Sequence, residues 1–160
     1  MVMRLSTDAR KMMLTSAAEE AERRGDRRLG TDHLLLGLLH DPDSAAARAV
    51  GVSLESARAA SDELDRSALA AVGVNAGSLA GPLRAARSRR LPPLTSGARE
   101  VLKRTLEEAR PGETGRIETR HFLLALLARD RPDPAAELLA ALGVDSSVVR
   151  ERLVEAANPR

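Results

Sequence analysis

The sequence predicts an all-α fold, and three observations predict it. Of 160 residues, 28 are Ala and 25 are Leu, the pair that favours helices and packs them closely. Aromatic residues come to a single Phe, with no Trp or Tyr, whereas sheets draw on aromatic and β-branched side chains. The chain also repeats itself. Arg28–Leu39 (RLGTDHLLLGLL) matches Arg116–Leu127 (RIETRHFLLALL) at an offset of 88, with Arg28, Thr31, His33, Leu35, Leu36, Leu38 and Leu39 recurring identically. Leu5 and Ala9–Arg10 precede the first block as Leu94 and Ala98–Arg99 precede the second. Gly51–Val52 and Gly143–Val144 follow, each with an Arg beyond it, Arg58 and Arg150. A conserved order of blocks is the mark of duplication. The expectation is an eight-helix bundle of two pseudo-twofold-related four-helix repeats.

Each repeat reads as four helices. The first spans about Thr7 to Arg24, and about Thr95 to Arg110, with Met12, Met13 and Ala17, or Val101, Leu102 and Leu106, on one stripe. The second starts at Thr31 or Thr119, whose hydroxyl is placed to cap the first turn. Its LLLGLL or FLLALL run is apolar nearly all round, as a central buried helix is. Asp41–Pro42–Asp43 and Arg131–Pro132–Asp133–Pro134 break the chain, and a short Ala-rich helix then ends at Gly51 or Gly143. Ser53 or Asp145 caps the last helix, which continues to about Asp65 or Ala157. The boundaries predicted are 1–65 for the first repeat, 66–93 for a connecting segment, and 94–160 for the second repeat. In the connection, Leu69–Val74 resembles Leu139–Val144 and suggests a small extra helix–turn element. The basic run Arg84–Arg90 (RAARSRR) follows.

Composition excludes several functions. No cysteine is present, so disulfides, thiol catalysis, iron–sulfur clusters and Cys-ligated zinc are ruled out, and a reducing, cytoplasmic setting is the expectation. No apolar run approaches the ~18 residues of a membrane span, and MVMRLSTDAR has no secretory apolar stretch. The net charge is only +2, and acids and bases are interspersed. Stacking aromatics are lacking, so nucleic acid is a weak expectation; RAARSRR reads as a solvated linker, with phosphate contact as its alternative.

With its upstream A-R…EEA and downstream G-V-S, the GT-D-H-LLLGLL block resembles the Clp amino-terminal domain family, most similarly its ClpC branch. The likeness runs from about Leu5 to Ala157. It implies a double-repeat bundle that receives substrates, adaptors or small ligands and does no chemistry itself. Protein or peptide clients and a Clp unfoldase are the implied partners. The sequence contains no G-x-x-x-x-G-K-[ST] phosphate loop, and the extra connection favours a stand-alone protein.

In the ClpC type, a Thr near the start of the first helix and an acid at the start of the second resemble a pocket for phosphorylated arginine. Here the first-half acid is Asp32, matched with Thr7 or Ser6, since a one-residue shift blurs the register. In the second half the Thr is Thr95, but Arg120 takes the acid's place and repels a guanidinium. One working pocket is therefore the limit. A carboxylate one residue after a helix cap also favours the helix dipole, which by itself accounts for Asp32.

The other candidates have structural readings. His33 and His121 recur at identical places, which favours a hydrogen-bonding task inside each repeat over metal binding. His40 is the only other histidine, and no H-E-x-x-H pattern occurs. No G-x-S-x-G elbow is present, so catalysis is not expected, and neither cofactor nor metal is implied. Met12 and Met13 suit a groove or the core. The family likeness also implies an alternative, sequestration of a cyclic-peptide antibiotic. Leu5 and Leu94, standing where that family opens each repeat with an aromatic, weaken a pocket built on ring stacking.

Overall fold

A computed structural model of the chain describes residues 3–73, 91–109 and 115–158. Among the described residues lie eight helices, four from each repeat. Helix α1 passes through three consecutive segments, Thr7–Lys11, Met12–Ser16 and Ala17–Arg24; α2 is Thr31–Leu38, α3 Ala45–Val50 and α4 Leu54–Ala71. In the second repeat α5 is Ser96–Glu108, α6 Thr119–Leu127, α7 Pro134–Ala141 and α8 Ser146–Ala157. Two-residue strands, β1 (Arg4–Leu5) and β2 (Arg116–Ile117), add a minimal parallel pairing to the predicted helices.

Helices α2 and α6 are buried as their all-round apolar sequences require. Leu34, Leu35, Leu36, Leu123 and Leu126 are fully buried, and Phe122 is nearly so. With Ala9, Ala98, Leu138 and Val149 they form one core shared by both repeats. Each large apolar side chain removed from water contributes about 1.5–3 kcal/mol to this core.

The strands explain why the repeats do not separate into side-by-side units. Leu5 pairs with Ile117, and Leu94 forms an isolated parallel bridge with Leu29. The Ser6 amide donates to the Ile117 carbonyl at 2.9 Å, and the Thr95 amide donates to the Leu29 carbonyl at 3.0 Å. The opening segment of each repeat therefore lies beside the residues that lead into the other repeat's second helix. This crossing sets the geometry of the site.

The register shift has a physical origin. Buried Ala9 and Met12 correspond to buried Ala98 and Val101 at an offset of 89, whereas buried Ala17 and Ala21 correspond to Thr105 and Ala109 at 88. Between them Met12–Ser16 is π-helical. A single-turn π segment accommodates one additional residue without ending the helix, so both ends of α1 keep their buried faces.

Caps follow the short polar residues. Ser6, Ser44, Ser53, Thr95, Asp133 and Asp145 each accept an amide in the first turn of the helix they precede. Thr31 and Thr119 do not cap their own helices, contrary to expectation. The N-cap positions are Gly30 and Glu118, and their amides donate to His33 Nδ1 at 2.8 Å and His121 Nδ1 at 2.9 Å. The duplicated histidines thus do the structural task expected of them. Gly51 and Gly143 turn left-handed, at φ 75° and 67°.

Helix α4 runs on to Ala71 instead of ending near Asp65, and Gly73 turns left-handed after it, so Leu69–Ala71 continue this helix. The basic run 84–90 lies outside the described residues.

A buried carboxylate braces the first repeat. Glu20 on α1 is fully buried and accepts from Arg58 Nε on α4 at 2.9 Å, from Arg58 Nη2, and from Arg23 Nε at 3.2 Å; His40 Nε2 lies 2.8 Å from it. Burial pushes its carboxyl up, but these hydrogen bonds outweigh that and hold it below the usual glutamate range. Arg58 was legible as a repeated residue; its partner was not.

Candidate functional site

The crossed opening segments leave a cleft of about 650 Å³ between the repeats, lined among others by Gly30, Asp32, Thr95, Gly97, Arg129 and Asp133. Its floor is a polar joint. Thr31, buried at the first position of α2, donates its hydroxyl to Asp133 Oδ1 at 2.8 Å and accepts the Ala135 amide at 3.1 Å. Asp133 in turn caps α7 and accepts from Arg129 Nε at 3.1 Å. The start of α2 and the start of α7 are thereby locked together.

Asp32, next in sequence, turns its carboxylate to the chain's own arginine. Arg24 Nη1 at the end of α1 donates to Asp32 Oδ2 at 2.5 Å, with the two side chains 12% and 13% exposed. Arg24 Nη2 reaches Asp65 Oδ2 on α4 at 2.7 Å, and Arg24 Nε lies 3.3 Å from Asp26 Oδ2 without hydrogen-bonding geometry. Burial opposes the charge of Arg24, but Asp32, Asp26 and Asp65 more than offset it and raise its pKa above the usual arginine range. Burial pushes Asp65 upward, with the nearby Asp26 and Asp32 charges adding to the effect and Arg24 opposing it. Burial also pushes Asp26 up, yet the His33 hydrogen bond and Arg24 bring it below the usual aspartate range. Because His33 Nδ1 accepts a backbone amide, the neutral ring carries its proton on Nε2, which donates to Asp26 Oδ2 at 2.7 Å.

The sequence pairs Asp32 with Ser6 or Thr7; the fold places it instead in a cleft with Thr95, across the repeats. The physical reason is the strand crossing, which carries Ser6 to the Ile117 carbonyl. Ser6 and Thr95 are the equivalent caps, accepting from Ala9 and Ala98 amides at 3.1 Å each, so the register resolves in favour of Ser6. Thr7 is exposed on the first turn of α1. Arg120 is half-buried, donates from Nε to Glu118 Oε2 at 2.9 Å, and lines a different cavity with Leu124, Leu153 and Val154. Of the five candidates, Asp32 and Thr95 meet in one cleft, whereas Ser6 is bonded to the Ile117 carbonyl, Thr7 is exposed and Arg120 lines a separate cavity. Sequence reasoning missed Arg24 and Asp65. The only signal for Arg24 was its position eight residues before Asp32, inside a run of four arginines broken by Gly25 and Asp26.

Among the described residues, no group of three or more His, Asp or Glu side chains is arranged to hold a metal ion. No described helix is long and apolar enough to cross a membrane. The site offers charge-assisted hydrogen bonds, helix-start amides and a polar floor, the means of recognising a ligand.

The chain is similar to chloroplast Clp proteins over most of its length. It is 33% identical over 141 residues to the ATP-dependent Clp protease ATP-binding subunit ClpA homolog of Brassica napus, and 32% identical over 141 residues to the chaperone protein ClpC1 of Oryza sativa subsp. japonica. In each case the match covers 86% of this chain but only 14% of the relative. The crystal structure of the N-terminal domain of the chaperone ClpD from Arabidopsis thaliana superposes with a TM-score of 0.72, covering 98% of this chain and 97% of that one at 21% identity, which shows the shared fold. The sequence model of the Clp repeat (R) N-terminal domain matches residues 4–80 and 93–159. With both repeats matched and the eight-helix fold shared, the chain belongs to the Clp repeat (R) N-terminal domain family.

Proposed function

We propose that the chain is a non-catalytic receiving module for protein or peptide segments, with the inter-repeat cleft as its working surface. The observation that carries this reading is the meeting of Asp32 and Thr95, from opposite repeats, in one cleft. The Asp32 carboxylate is suited to a guanidinium, as its bond to Arg24 illustrates. Thr95 and the first amides of α5 are suited to an anion beside it. Together they favour clients that present arginine, including arginine-phosphorylated or unfolded chains. The module would deliver such clients to a Clp unfoldase as an adaptor, or withhold them as a competitor. At the related place beyond Ser6 and Thr7, the Arg120 cation disfavours a guanidinium. One cleft per chain is therefore expected to work.

A pull-down from cell lysate tests this, using the purified protein beside an Asp32→Arg variant and reading the captured proteins by mass spectrometry. Enrichment of Clp unfoldase subunits or arginine-phosphorylated proteins, lost in the variant, supports the reading. Equal recovery by both baits removes the cleft from it.

A further inference from the structure

Beside the π segment lies a second and more enclosed cavity, of about 320 Å³, that shares no lining residue with the inter-repeat cleft. Met12, Ser16 and Glu19 of α1, Leu38 and His40 at the end of α2, and Thr119 of α6 line it. Ser16 is 5% exposed. Its hydroxyl makes no hydrogen bond to a described residue, yet it is not sealed in: Arg24 Nε is the one enclosed side-chain polar atom without a partner among the described residues. The cavity is the opening that Ser16 lines, so this hydroxyl faces a space that a ligand can fill. The Thr119 hydroxyl also lacks a bond to a described residue, whereas its equivalent, Thr31, bonds both Asp133 and the Ala135 amide.

His40 adds an acceptor. Its Nε2 donates to the buried Glu20 carboxylate at 2.8 Å, so the neutral ring leaves Nδ1 as an acceptor. Glu19 Oε2 stands 3.8 Å from that Nδ1, a spacing that one head with several N–H donors bridges. Charge selects the kind of donor. Asp8, Glu19 and Asp41 outnumber Lys11 around the cavity. The helix starts at its rim are already answered, since Ser6 and Ser44 cap α1 and α3 and Asp8 stands in the first turn of α1. The equivalent place in the second repeat is smaller, about 190 Å³, and has the opposite balance: Lys103, Arg104 and Arg129 outnumber Glu100 and Glu107. Met12 and Leu38, both buried, give the first-repeat cavity an apolar wall.

We infer that this cavity binds a primary ammonium on an aliphatic stem, the chemistry shared by a lysine side chain and a free diamine. The three ammonium N–H donors are matched by Ser16 Oγ, His40 Nδ1 and the Glu19 carboxylate, and the methylenes by Met12 and Leu38. The inference goes beyond the receiving-module reading and does not rest on it.

The test is titration of the whole chain, followed by amide chemical shifts, with three probes: Nα-acetyl-lysine methylamide, the same compound acetylated on Nε, and 1,4-diaminobutane. The unmodified chain is compared with Ser16→Ala and Glu19→Gln. The expected result is perturbation of Ser16, Glu19, Gly37 and His40 by an ammonium probe and none by the acetylated one. Ser16→Ala weakens binding about fivefold, as loss of one hydrogen bond does, and Glu19→Gln about threefold, as loss of an exposed charge partner does. A response to the lysine derivative identifies a protein side chain as the ligand, and a response to the diamine alone identifies a free polyamine; either supports the inference.

No perturbation by either ammonium probe, or equal perturbation by the acetylated one, overturns it. So does an affinity that either substitution leaves unchanged, or a response centred on Gly30–His33 and Thr95–Ala98. Loss of cooperative melting in Ser16→Ala assigns the hydroxyl to the framework and also overturns it.

Discussion

Thr31 and Asp133 stand 102 residues apart in the chain and 2.8 Å apart in the fold. The bond joins the helix that opens on the cleft in one repeat to the cap of a helix in the other. Both side chains are buried at the floor of the cleft. Replacing Thr31 by Val keeps the shape and removes the hydroxyl, leaving Asp133 Oδ1 short of a donor and the Ala135 amide short of one acceptor. Chemical denaturation of Thr31→Val is expected to show a loss of about 1–3 kcal/mol.

Gly37 and Ala125 occupy the same place in the two repeats, yet they are not interchangeable. A Cβ on Gly37 meets the Ala17 amide nitrogen at 2.9 Å, where α2 crosses α1. Helix propensity favours Ala by about 1 kcal/mol, but overpacking against backbone costs about 1–3 kcal/mol. Gly37→Ala is expected to lower the melting temperature, whereas propensity alone predicts a rise.

The histidine caps should be separable from metal binding. His33→Ala or His121→Ala leaves an N-cap amide without its side-chain acceptor, at a cost of about 0.5–2 kcal/mol each. Thermal melts with and without added zinc check this. A zinc-dependent rise in the melting temperature, abolished by either substitution, contradicts the structural role.

Glu20 predicts an acid limb to stability. Its folded-state carboxyl titrates below the ordinary glutamate value of 4.5, so its contribution is complete above that value. The contribution is lost as pH falls through the lower, folded-state value, where Glu20 takes up a proton and loosens Arg58 and His40. Glu20→Gln is expected to cost about 1.5–3 kcal/mol at pH 7. It should also flatten the decline in stability below pH 4.5, as measured by urea melts across pH.

The helices, their central pair and the glycine stops were legible because each depends on residues close in sequence: periodic Leu, a capping Ser or Asp, a Gly after an Ala run. The crossed site was not. Ser6 and Asp32 belong to one repeat, and only the parallel pairing of Leu5 with Ile117 and of Leu29 with Leu94 places Thr95 beside Asp32. The blurred register was a true signal whose cause, the π segment at Met12–Ser16, is a backbone property without a residue signature. Arg24 was hidden for another reason. In a chain with 23 arginines, nothing local marks the one that folds inward.

The central claim is that the cleft between the repeats, and not the face around Arg120, receives ligand. Amide chemical-shift mapping with an arginine-phosphorylated peptide tests it most directly. The account predicts perturbations concentrated at Gly30–His33 and Thr95–Ala98, and their disappearance in Asp32→Arg. Perturbations centred on Ser6, Thr7 and Arg120, or a pattern that Asp32→Arg leaves unchanged, would contradict it.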